Sequence, residues 1–559
     1  MKLTLPKLYR GQKYDELFVI EMNNFDIDML LPSFFWTILS KGKKRAKIKE
    51  KRNPQSSINE LAKHEKLEGF LGNDNGQRVL AKWVKTSVVK ATRAGKAHKG
   101  SEVINYVRPL SLLAFKGPSP EGGFLRGTHQ FLYDLLFRYG LQEKKDQDIF
   151  LNLVRKAFGR GLVMETGAVK DGKYDGSTDL DLEVLLSMYF LDGLEGVKET
   201  ISSSTSKKEI IPVCPTASKV FVEDITTFIS CYRMVLTPAA LSRHLATLLN
   251  FEFLIYTLNL FRGVNSLVLG DPCPELLNEE VKSRLEVYVN MTQSRTDRSA
   301  MMARGCINRD LETAELYLRH NFLLRFLDQS ISLLRDYSLE DKRGSERIKF
   351  INNIKSDNSI ESVALAHLSA LRNHFSEGLD DDEDFPPELS EIFTSNRSAV
   401  DRVTDILYLC QRKAATGSLM KWIQSTGGLR RTDGILEGNI KGRRNWRYSL
   451  SDPLLEVLCM LAVVHPKIAQ QNGEPNYSGK SKSILLSSFL EFLKERYGIL
   501  IAEPPSHEEG AEATAAAKEN LAALRRRLRQ IGLFQDLSDD FNAQRIEPRY
   551  KINTTNENS

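Results

Sequence analysis

The sequence predicts a mainly α, multi-domain helical protein with a C-terminal winged-helix-like module. Three observations carry that expectation. From 220 to 337, apolar residues recur at helical spacing in segment after segment. Helix punctuation is explicit: Thr237-Pro238 reads as an N-cap with Pro at the first helical position, and Gly498 and Gly532 follow periodic segments as stops. The last hundred residues run helix, helix, basic helix, hairpin, which is the element order of a winged helix.

In that terminal stretch, 452–464 is an almost wholly apolar helix, with Ser451 or Asp452 as cap, Pro453 in its first turn and Pro466 as its stop. A second helix covers about 483–497, where Ile484, Leu485, Phe489, Phe492, Leu493 and Tyr497 share a face. A third covers about 516–531, with Leu521, Leu524, Leu528 and Ile531 on one side and Arg525, Arg526, Arg527 and Arg529 turned largely away. The segment 503–519 between them reads as an acidic, alanine-rich spacer. An SDD turn then separates two short segments that could pair as a wing, flanked by Arg545 and Arg549.

Length and composition bound the rest. The chain has 559 residues, 41% hydrophobic and 27% charged, with a formal net charge of +6. That suits a soluble globular protein of three or four domains at about 150 residues each. We expect a basic region over 1–110, helical domains over 111–205 and 206–378, an acidic linker, helix and basic loop over 379–445, and the winged-helix-like domain over 446–559. The six cysteines are scattered with no CxxC pair, so a structural zinc site is not expected. The first residues lack a signal-peptide core, and the longest apolar runs are about half a bilayer span. The expected location is the cytoplasm, with no membrane contact.

Basic residues concentrate at three stations. Residues 41–52, including Lys43 and Lys44, hold eight basic residues and one acidic. They read as a solvated linker or as a phosphate-contacting loop. Residues 77–99 read as a helix placing Arg78, Lys82 and Lys85 on one side, with no acid between Arg78 and Lys99. Residues 426–450 are glycine-rich, with Arg430, Arg431, Lys441, Arg443, Arg444 and Arg447 beside Trp446 and Tyr448. Interleaved cations and aromatics suit nucleic acid through phosphate pairing and stacking; a hairpin packing its Trp on the next helix is the other reading. Residues 17–22 look strand-like.

Catalytic motifs fail on spacing. Gly176-Ser177 followed by Asp179 and Asp181 approaches the nucleotidyltransferase pattern, but one residue separates the pairs where about ten are needed. Thr178 capping a buried helix explains the same residues. Arg372 and His374 stand too close for a helical ribonuclease pair, and His244 and His320 have no metal-ligating partner at i, i+4. GEPNYSGKS at 473–481 leaves five residues where a P-loop needs four, and reads as a turn.

The terminal pattern SDPLLEVL, FLEFLKERYGI, LRRRLRQIGLF and LSDDF resembles accessory subunits of bacterial anti-phage systems linked to DNA modification, of the methylation-associated or phosphorothioation-dependent restriction type. The resemblance lies chiefly in 450–550 and transfers no functional residue. It implies a non-catalytic role beside an ATPase, nuclease or methyltransferase. The expectation is a DNA-binding adaptor with no cofactor or metal, its DNA contacts drawn from Arg525, Arg526, Arg527, Arg529, Arg443, Arg444, Lys82, Lys85, Lys43 and Lys44. A protein–protein scaffold and a divergent metal-dependent enzyme using Asp179 and Asp181 are the alternatives.

Overall fold

One long helix is apolar almost all round, and such a helix must be buried on every side. This is Pro238–Leu269, where Leu241, Leu248, Phe253, Leu260, Phe261 and Val264 have essentially no exposed surface. The rest of the chain wraps it. The computed structural model describes residues 4–42, 74–83, 85–86, 89–93, 102–107, 125–141, 143–160, 174, 176, 212–270, 285–334, 336–377, 384–471, 474–535 and 544–552.

Among these residues fourteen α-helices and eleven short strands follow in order. They are α1 (Ile27–Leu39), α2 (Asp74–Trp83), β1 (Val89–Arg93), β2 (Glu102–Val107), α3 (Thr128–Asp134), α4 (Lys144–Phe158), α5 (Pro215–Tyr232), α6 (Pro238–Leu269) and β3 (Val287–Tyr288). Then come α7 (Arg298–Ile331), α8 (Gly344–Asn353), α9 (Asn358–Ser376), α10 (Pro387–Thr394), α11 (Ala399–Thr426), β4 (Leu436–Asn439), β5 (Gly442–Tyr448) and α12 (Asp452–Ala462). Last are β6 (Val464–Gln471), β7 (Glu474–Ser481), β8 (Ile484–Leu485), α13 (Leu486–Tyr497), β9 (Ile499–Leu500), α14 (Ala511–Gln530), β10 (Phe534–Gln535) and β11 (Arg545–Ile546). The chain is mainly α.

Side-chain caps set the long helices. The Thr237 hydroxyl accepts the Ala240 N–H at 3.3 Å and the Ser451 hydroxyl that of Leu454 at 3.3 Å, while Asp297 accepts from Ala300 at 2.7 Å. Around α6 pack α5, α7, α11 and α12. Trp422 of α11 is fully buried and donates its indole N–H to Thr257 of α6 at 3.1 Å. Each large apolar side chain buried this way contributes about 1.5–3 kcal/mol over an exposed one. One continuous apolar core links Leu5 to Ile552.

Several expectations are corrected. Among the described residues of 77–99, the α-helix runs to Trp83, Lys85 and Thr86 form a π-helical turn, and Val89–Arg93 is strand β1, antiparallel to β2. Residues 17–22 form no strand. Helix α12 ends at Ala462, and Pro466 sits inside β6 opposite Gly479 of β7. The near-miss P-loop is thus the return strand of a hairpin, not a turn. A Cβ on Gly479 would lie 2.4 Å from the Cys231 sulfur, so the strand reaches α5 only through glycine. The expected spacer at 503–519 is largely the first half of α14.

Gly498 fixes the terminal segment to the middle of the chain. Its φ is +69° and a Cβ there would lie 2.1 Å from the Leu285 carbonyl oxygen. That close approach lets β9 pair in parallel with β3, the Val287 N–H donating to the Gly498 carbonyl at 2.8 Å. Beyond it, β8, β10 and β11 form an antiparallel sheet of order β10-β11-β8 beside α13 and α14.

Candidate nucleic-acid interface

Helix α14 buries a stripe of small residues, Ala513, Ala516, Ala517 and Ala523, with Leu524 and Leu528. Small side chains let it lie close on α7. The exposed side changes sign along its length. Glu512 and Glu519 lie toward its N-terminal half, while Arg526 and Arg529 are exposed at the C-terminal end and Arg525 is half-buried. Arg525 and Arg526 have no acidic partner among the described residues. Arg529 lies 5.7 Å over the Phe534 ring. Arg527 is committed inward: its Nε donates to Asp452 at 3.0 Å and it also touches Met291. Arg549 pairs with Glu456 and donates to the Ile531 carbonyl, so it clamps the module, whereas Arg545 is exposed on β11.

The glycine-rich basic stretch is the β4–β5 hairpin. Arg443 and Arg444 are exposed, Arg443 lying 3.9 Å from Glu315. Trp446 and Tyr448 are not stacking platforms. Both are fully buried, Trp446 donating to the Asn439 carbonyl at 2.8 Å and Tyr448 to Asp310 at 2.8 Å. The division runs along the strand: 443–445 at the hairpin end are exposed, and 446–448, which run in against α7, are buried. Arg447 is buried with them, against Glu437 at 2.5 Å. Burial raises the Asp310 carboxyl, an effect opposed by Arg262 and by the hydrogen bond from Tyr448. The same burial, with Asp310 beside it, pushes the Tyr448 hydroxyl well above its ordinary value.

One segment joins these two basic stations. Past β3, the Asn290 N–H donates to the Tyr448 carbonyl at 2.9 Å, and the Met291 N–H donates to the side chain of Asn520 in α14 at 2.7 Å. The hairpin and the arginine helix both pack on α7. The third station is a separate element: Lys82 is exposed at the end of α2 and Lys85 is exposed just beyond it. Lys43, Lys44, Asp179 and Asp181 lie outside the described residues.

Other candidates have ordinary structural surroundings. His374 Nε2 is 3.0 Å from the Thr4 carbonyl, and Arg372 lies 6.0 Å over Phe393. No group of three or more His, Cys, Asp or Glu side chains placed to hold a metal occurs among the described residues. Their cysteines are free, and burial lifts the Cys306 thiol to about 11, away from nucleophilic use. No helix among the described residues is long and apolar enough to cross a membrane.

Sequence reading missed Asn520. Its signal was available: it falls at the seven-residue step of the Ala513, Ala516, Ala517 and Leu524 stripe, a lone polar residue on an apolar face. Its partners, in residues 289–291 and 501, were not.

No match to the chain is found among curated proteins or among solved structures. A family model described as methylation-associated defense system protein MAD7 matches residues 9–550, nearly the whole length. With that extent of match, the chain belongs to the MAD7 family of methylation-associated defence system proteins.

Proposed function

We propose that this chain is a DNA-binding adaptor of its defence system, acting beside separate enzyme subunits, with a C-terminal winged helix as the DNA-contacting module. The observation that carries the reading is the succession α12, β8, α13, α14, β10, β11 with sheet order β10-β11-β8. These three helices and three antiparallel strands follow the winged-helix order, with the β6–β7 hairpin inserted after the first helix and β9, paired to β3, inserted between the second and third. The helix before the wing is α14, the element that enters the major groove in that fold, and arginine suits guanine edges and phosphates. Its first half carries Glu512 and Glu519 against Lys518 alone, which disfavours deep insertion from the N-terminal end. The contact residues are therefore Arg525, Arg526 and Arg529 at the C-terminal end, with Arg545 beside them and Arg443 and Arg444 extending the track. Lys82, Lys85, Lys43 and Lys44 would add a second, N-terminal grip. Arg527 serves chiefly to hold the helix to Asp452.

Fluorescence anisotropy on a labelled duplex tests this. The full chain should bind at low salt, with log K falling steeply against log salt at about 0.9 per phosphate contacted. Substituting Arg525, Arg526 and Arg529 by Ala should lower that slope by roughly one for each lost contact. An absence of duplex binding at low salt, or an unchanged slope in the triple variant, would overturn the reading. Co-purification with other components of the system in fixed ratio after nuclease treatment would test the adaptor role by itself.

A further inference from the structure

Where the start of α1, the middle of α6 and the loop after α11 meet, there is a cavity of about 240 Å3. Asn250 of α6 lies at its floor, 1% exposed, and neither its Nδ2 nor its Oδ1 has a hydrogen-bond partner among the described residues. Buried amides are almost always paired, because leaving one unpaired in an apolar setting carries a large desolvation penalty. Its neighbours Leu249 and Phe251 are ordinary core residues. Both atoms have almost no accessible surface, so a ligand in the cavity completes their hydrogen bonds once the side chain turns toward it.

The other walls suggest what enters. Phe25 and Ile27 are apolar and almost fully buried. Arg431 is held between Asp28 at 2.9 Å and Asp433, so it shapes the wall without offering a spare charge. Arg430 is exposed at the mouth and has no acidic partner among the described residues. The cavity is smaller than the roughly 300–1,000 Å3 of drug-sized sites, which limits it to one small ring system. An Asn side chain offers an adjacent donor and acceptor, the complement of the adenine N6/N7 edge.

We propose that this cavity is a nucleobase-binding site, in which Asn250 pairs with the base edge, Phe25 and Ile27 form its apolar wall, and Arg430 meets the attached phosphate. The base could come from a free mononucleotide or from a DNA strand that extrudes it, as proteins acting on single bases do. The second source rests on the DNA-binding reading above; the first does not.

The test uses the full chain with two probes. One is deoxyadenosine monophosphate, titrated calorimetrically. The other is a duplex with 2-aminopurine next to a mismatched adenine, whose fluorescence rises when that adenine is unstacked. At least one probe should respond. Asn250→Leu should weaken that response tenfold or more while leaving the melting temperature unchanged or higher, since it replaces an unpaired amide by an apolar side chain of the same branching beside free space. Arg430→Ala, at an exposed position, should weaken mononucleotide binding several-fold and leave binding of the unphosphorylated nucleoside unchanged. It carries the comparison if Asn250→Leu does not fold. Response to the mononucleotide alone assigns a free nucleotide; response to the duplex assigns an extruded base. Silence from both probes overturns the proposal, as does wild-type affinity in both variants. Duplex affinity without either signal removes the pocket and leaves the DNA-binding reading standing. Mononucleotide binding without duplex affinity does the reverse.

Discussion

Asn520 and Met291 are joined by a 2.7 Å hydrogen bond from the Met291 backbone N–H to the Asn520 side-chain oxygen, in a fully buried setting. The same amide donates to the carbonyls of Val289 at 2.8 Å and Ile501 at 3.1 Å. One side chain thus closes three backbone groups where β3, β9 and α14 converge. The arginine-bearing helix takes its position from the interior of the protein.

Asn520→Ala should therefore destabilise the chain by about 2–4 kcal/mol, because it orphans one buried donor and two buried acceptors. Urea unfolding followed by circular dichroism measures this. Hydrogen exchange should quicken along 511–530, as α14 loses its tie to residues 289–291. A loss below about 0.5 kcal/mol would show that these backbone groups find other partners.

Glu252 gives a pH dependence of defined sign. It is 1% exposed in α6, and burial, reinforced by Asp224 beside it, raises its carboxyl well above the ordinary value of about 4.3. Asp224 is engaged by Arg496 at 2.9 Å and by the Tyr497 hydroxyl at 2.6 Å. Above the ordinary carboxyl pKa the folded chain keeps a proton that the unfolded chain releases. Stability contributed by this group is then complete at low pH and is lost as pH rises. Glu252→Gln retains the neutral form, so it should add on the order of 1–3 kcal/mol at pH 8 and nearly nothing at pH 4. Equal effects at both pH values would refute the assignment.

His320 works in the opposite direction. It is buried in α7, its Nδ1 is 2.8 Å from Asn265 Oδ1, and burial lowers its pKa to about 4, with Arg319 and Lys355 adding to the effect. Below about 6.5 the unfolded chain takes up a proton that the folded chain refuses. Stability should fall between pH 6.5 and 4, by up to about 3 kcal/mol from this residue. His320→Gln should flatten that part of the stability profile. A parallel profile for the variant would place the acid sensitivity elsewhere.

The sequence by itself determined the long central helices and several of their ends. A helix is specified by contacts within a few residues, so the Thr237 cap and the Gly498 stop were legible before any tertiary contact was known, and the cap of α12 was narrowed to Ser451 or Asp452. The arginines of α14 were legible for the same reason, since helical periodicity separates them from the Leu524 and Leu528 face. Tertiary structure decided the rest. Strands β3, β8, β9, β10 and β11 are two residues long, too short to show alternation, and exist only because distant partners supply their hydrogen bonds. Val287 meets Ile499 across more than two hundred residues, and no local pattern encodes that register. Trp446 and Tyr448 beside arginines looked like a stacking surface; only the end of the strand that runs in against α7 turned them into core. Asn250 looked like one polar residue in an apolar helix, and the empty space beside it arises only where α1, α6 and the loop after α11 come together.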